Sequence, residues 1–101
     1  MRSSVCLFEF NASVPIDEVA GTFDLALLAA ESLHGTDRVS LEAIYRVDRA
    51  NRTIEIDRCS DVGGTLALIF LGYARREFGD AAVRMKRVEA PTAAAAGEEP
   101  R

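Results

Sequence analysis

Polar and apolar residues alternate in several stretches of this chain and recur at helical spacing in two others. Val5-Cys6-Leu7-Phe8-Glu9-Phe10 is a run of β-formers and reads as a first strand. Asn11-Ala12-Ser13-Val14-Pro15 ends it, with Ser13 placed to cap a helix whose first turn holds Pro15, Asp17 and Glu18. That helix runs to about Leu33, and Gly35 is positioned to stop it. From Leu41 to Asp48 the period is two. Leu41, Ala43, Tyr45 and Val47 oppose Glu42, Ile44, Arg46 and Asp48, the pattern of a half-buried strand. Arg49-Ala50-Asn51-Arg52 is a turn in which Asn51 tolerates a positive φ. Thr53–Arg58 alternates again, so the two strands form a hairpin. Ser60 or Asp61 caps a second helix from Val62 to about Phe78, closed by Gly79. A last strand, Ala81 to Val88, turns Val83 and Met85 inward and Arg84 and Lys86 outward.

Strand–helix–strand–strand–helix–strand is the element order of a ferredoxin-like βαββαβ sandwich. Connections of the usual hand then give an α+β fold. Its sheet has four antiparallel strands in the order 4-1-3-2, with two helices on one face. Residues 1–88 form a single domain on this reading. Residues 89–101, rich in Ala, Glu and Pro, carry no buriable pattern and read as a disordered tail.

The helices hold more apolar surface than one sheet can cover. On the first, a core stripe of Ile16, Val19, Ala20, Phe23, Leu27 and Ala30 is opposed by Gly21, Leu25, Leu28, Ala29 and Ser32. On the second, Val62, Leu66, Ile69 and Tyr73 are assigned to the core. The reverse side holds Gly64, Ala67, Leu68, Leu71, Ala74 and Phe78. Leu25, Leu28, Leu68, Leu71 and Phe78 together would form a larger exposed patch than monomers usually carry. They are expected to meet another copy of the chain, or another protein, with small residues allowing close approach.

The uncovered sheet face is expected to carry Val5, Leu7, Glu9, Glu42, Ile44, Arg46, Thr53, Glu55, Asp57, Arg84, Lys86 and Val88. Acids there lie beside bases, which suits a solvated face laced by cross-strand charge pairs. The features of the binding sheets built on this order are missing. There are no stacking aromatics on strand 3 for RNA, no Cys-x-x-Cys after strand 1 for a metal, and no arginine-bearing phosphate loop there.

Charge narrows the partners further. A net charge of −4 and a pI of about 4.9 weigh against nucleic acid. The longest apolar stretch, Thr65 to Ala74, is too short to span a bilayer. The residues after Met1 do not read as a secretory leader, and two cysteines are too few for a disulfide scaffold. A cytoplasmic protein is the expectation.

One corner gathers reactive groups. The start of strand 1, the end of helix 1, the end of strand 3 and the start of helix 2 meet at one end of the fold, bringing Cys6, His34, Cys59, Ser60, Asp61, Gly63 and Gly64 there. Cys59 just ahead of a helix N-terminus suits a reactive thiolate, and Gly63-Gly64 suits the approach of an anion. Each has a plainer account: Cys6 as a buried small hydrophobe, His34 opposing a helix dipole, Ser60-Asp61 as a cap. No cofactor, metal site or catalytic set is assigned, because a lone histidine and scattered carboxylates give no acid–base pair. The leading expectation is a non-enzymatic module that self-associates or docks through its helices. A small-ligand or anion sensor at Cys59–Gly64 is the alternative, and a thiol-dependent enzyme using Cys59 ranks third.

Overall fold

The computed structural model describes residues 3–90. It is an α+β fold with β1 (Ser3–Phe10), α1 (Ile16–His34), α2 (Thr36–Glu42), β2 (Tyr45–Asp48), β3 (Thr53–Asp57), α3 (Asp61–Phe78) and β4 (Val83–Ala90). A single 3-10 turn, Asp80–Ala82, precedes β4. The strands form one antiparallel sheet in the order β2-β3-β1-β4. That is the expected order read from the opposite edge.

Three helices stand where two were expected. Residues 36–42 form α2, so Leu41 and Glu42 are helical rather than the start of a strand. Gly35, at φ 93°, ends α1 and lets the chain turn at once into a new helix. Leu41 and Ala43 mimic strand alternation, but Val39 and Ala43 are also one helical turn apart. Val39 is the residue that buries, while Leu41 is left 83% exposed. An ion pair at helical spacing, Arg38 to Glu42 at 2.9 Å, supports the extra helix. The Arg38 guanidinium bonding to Glu42 holds that carboxyl below its ordinary pKa.

Two local expectations also change. Ser13 does not cap α1; Pro15 occupies the cap position, with no side chain accepting from the first turn. In the hairpin turn the positive φ belongs to Arg52, at 58°, and not to Asn51. Asn51 instead donates from its backbone and side-chain nitrogens to the Asp48 carboxylate, at 3.1 and 2.8 Å. Those bonds lower the Asp48 pKa. The Arg52 guanidinium donates to the carbonyl oxygens of Asn11 and Val14, tying the hairpin to the loop before α1.

The core lies between the sheet and α1 and α3. Phe70 is its hub, set edge-on to Phe8, Phe10 and Phe23 at centroid distances of 5.0, 5.9 and 5.3 Å. Ile54 and Ile56 of β3, Val19 and Ala26 of α1, and Leu66 of α3 complete it. On α3, Val62 and Leu66 are buried as expected, but Phe70 takes the centre and Ile69 and Tyr73 are only half-buried against it. Ala67 and Ala74 are therefore buried, not outward. Leu71 and Phe78, expected on the free surface, are half-buried against the core, and Phe78 meets Phe10 edge-on at 6.4 Å.

Gly63 fixes that rotation. It is buried, and a Cβ there would overlap the Asp57 carbonyl oxygen at the end of β3. No larger residue lets α3 start so close to the sheet. At the other end, β4 continues through Glu89 and Ala90, which pair with Ser4 and Ser3. Residues 91–101 of the expected tail lie outside the described residues. Among the described residues, no helix is long and apolar enough to cross a membrane.

Candidate interaction surface on the helix layer

The two long helices are antiparallel neighbours. At one end the His34 Nε2 and Thr65 Oγ1 lie 2.9 Å apart, joining the close of α1 to the first turns of α3. Toward the other end Thr22 and Leu25 of α1 face Tyr73 and Arg76 of α3. Between the helices, open to solvent, runs a groove of about 440 Å³, lined also by Leu28 and Ala29.

The outer side of this layer is apolar. Leu25 and Leu28 are each 58% exposed and Leu68 is 72% exposed. Singly these would be unremarkable, but they share one face of two adjoining helices. Glycines flank them on helical spacing: Gly21 one turn before Leu25, and Gly64 and Gly72 one turn either side of Leu68. An added Cβ at any of the three meets nothing within 4 Å. Each therefore weakens its helix relative to alanine with no packing reason inside the subunit. Gly72 escapes notice in the sequence, although its spacing from Gly64 and Leu68 places it on the same stripe.

The outer face of the sheet is different in kind. Register aligns Arg46, Glu55, Leu7 and Lys86 in one row across the strands, and Asp48, Thr53, Glu9 and Arg84 in the next. Arg46 pairs with Glu55 at 3.4 Å; Glu9 takes Lys86 at 3.4 Å and Arg84 at 3.9 Å. Of the apolar residues expected on this face, Val5 and Leu7 are half-buried, whereas Val88 is 42% and Ile44 61% exposed.

At the corner the groups fall into structural roles. Ser60 caps α3, its Oγ accepting from the Gly63 N–H at 3.0 Å and donating to the Glu42 carbonyl oxygen at 3.3 Å. The Gly64 N–H goes to the Ser60 carbonyl at 3.0 Å, and the Cys59 N–H to Asp57 Oδ1 at 2.7 Å. The Cys59, Gly63 and Gly64 amides are thus already engaged, and Asp57 and Asp61 stand nearby. Cys59 is exposed, whereas Cys6 is buried in the core, and both are free thiols. Burial pushes the Cys6 thiol above its ordinary pKa, with Arg58 and Arg87 opposing the shift. The His34 ring nitrogen is occupied by Thr65 and not by either cysteine. No cluster of three or more metal-ligating side chains occurs among the described residues.

No protein-family model, curated protein or solved structure matches the chain.

Proposed function

We propose that this protein is a self-association module whose helix layer, the outer face of α1 and α3, docks against the same face of a second copy. The fold it serves is read as a ferredoxin-like sandwich carrying α2 as an addition. A compartment that keeps Cys6 and Cys59 reduced, such as the cytoplasm, suits it. One observation carries the reading: Leu25, Leu28 and Leu68 stand more than half exposed on one face of two adjoining helices. A self-complementary partner shelters them all in one step.

The dimensions allow it. The molecule extends 36 × 28 × 19 Å. Its broad face therefore offers at most about 1,000 Å², against the roughly 800 Å² per partner of a standard specific interface. Sedimentation equilibrium from about 5 to about 200 µM tests the proposal. The mass is expected to rise toward twice 11.0 kDa, and Leu28→Asp with Leu68→Asp to hold it at the single-chain value. A wild-type mass that stays at 11.0 kDa throughout, or a leucine double variant that still doubles, overturns it.

A further inference from the structure

We infer that the second copy stacks with α1 of one subunit over α3 of its partner, and that Asp24 and the partner's Arg75 form the charge pair that selects this arrangement. The inference rests on the self-association reading and adds to it an orientation and a specificity determinant.

The two helices that make the face differ in charge: α1 is acidic, whereas α3 balances Asp61 and Glu77 against two arginines. α1 contains Asp17, Glu18, Asp24 and Glu31 and no lysine or arginine. The last turns of α3 carry Arg75 and Arg76. Asp24, Arg75 and Arg76 are all exposed. None of them forms an ion pair with another described residue, although Asp17, Glu9, Arg46 and Lys86 all do. Unpaired charges of opposite sign border an apolar face, and a partner can neutralise them.

Position along the helices decides which partner residue each one meets. Because α1 and α3 are antiparallel, with His34 beside Thr65 and Thr22 and Leu25 across from Tyr73 and Arg76, Asp24 and Arg75 lie at the same level. Both belong to the outer stripes: Asp24 precedes Leu28 by four residues, and Arg75 follows Leu68 by seven, two helical turns. They sit on different helices about one helix diameter apart, so they do not meet within a subunit.

Only two simple two-fold arrangements bring helix layer onto helix layer. An axis across the helices lays α1 on α1 of the other copy, running opposite ways, which faces an acidic helix with its own acids. Like charges opposed at an interface disfavour it. An axis along the helices exchanges α1 and α3 while keeping their levels. Asp24 then faces the partner's Arg75, twice by symmetry. Leu25 falls over the partner's α3 between Gly72 and Arg76, where the missing side chain leaves room.

Charge exchange tests this directly. Asp24→Arg and Arg75→Asp are made singly, combined in one chain, and mixed as two singly substituted chains with one fluorescently labelled. Sedimentation gives each dissociation constant, and urea midpoints confirm that the exposed substitutions leave the subunit folded. Each single variant is expected to weaken dimerisation about tenfold or more, because two attractive pairs become two repulsive ones. The combined chain and the equimolar mixture are expected to return to within about threefold of wild type, the mixture as a hetero-dimer. Singles that leave the constant unchanged, or a mixture that stays as weak as its components, overturn the arrangement. If that happens while Leu28→Asp with Leu68→Asp still dissociates the dimer, the helix-face reading stands and only the orientation falls. If the leucine variant leaves the dimer intact, the helix face itself is the wrong surface.

Discussion

The two broad faces of this molecule meet water in different ways. The sheet face surrounds its few apolar groups with cations and anions already paired along the rows, as with Glu9 between Arg84 and Lys86. Val88 and Ile44 remain exposed there, without unpaired charges at their border like those of the helix face. The helix face leaves its leucines uncovered, and its border charges Asp24 and Arg75 form no ion pair among the described residues. Internal charge pairing thus separates the two surfaces, although both contain apolar residues.

The largest expected effect breaks the comparison at its root. Gly63→Ala forces a methyl group into the Asp57 carbonyl oxygen, so α3 must lift from the sheet and the helix face loses one of its two helices. A loss of about 3 kcal/mol or more in urea unfolding is expected, together with loss of association. A stability change under about 1 kcal/mol would mean that α3 starts farther from the sheet than described.

Gly72→Ala sharpens the contrast, because the same substitution type is expected to act with opposite sign. Its Cβ meets open space in the subunit, so the isolated chain should gain about 0.5–1 kcal/mol of stability at low concentration. The dimer should weaken about threefold or more as the methyl enters the seam. Denaturation at dilute concentration and sedimentation at high concentration separate the two; a chain that is both more stable and more associated contradicts the assignment of Gly72 to the interface.

The smallest effect belongs to the sheet. Glu9→Gln removes the shared partner of Arg84 and Lys86, all of them substantially solvated. A change of about 0–1 kcal/mol is expected, smaller still at high salt, with no change in mass. A shift in oligomeric mass would transfer the interface to this face.

The strand order and the hairpin were legible because alternation and turn residues agree there. So was the Ser60 cap, and so was the paired character of the sheet face, since acids and bases fall on neighbouring strands by register. The second short helix was not legible. Leu41 and Ala43 satisfy period two as well as Val39 and Ala43 satisfy a helical turn, and nothing local decides between them. The rotation of α3 was hidden for a related reason. A helix apolar on most sides has a weakly determined inner face, and the choice rests on a contact between Gly63 and Asp57 that only the assembled backbone creates. Spacing alone puts Leu25, Leu28 and Leu68 outward, whereas the inward tilt of Leu71 and Phe78 follows from Phe70 taking the centre.

The chain has two tyrosines and no tryptophan. Tyr73 lines the groove between the helices, and Tyr45 lies edge-on to Phe23 at 4.8 Å, at the β2 border of the sheet. Tyrosine emission from the unlabelled chain, excited where phenylalanine does not absorb, therefore originates at two places. One tyrosine sits beside the leucine face and the other, Tyr45, away from it at an exposed edge, so the molecule carries its own optical probe of the helix layer.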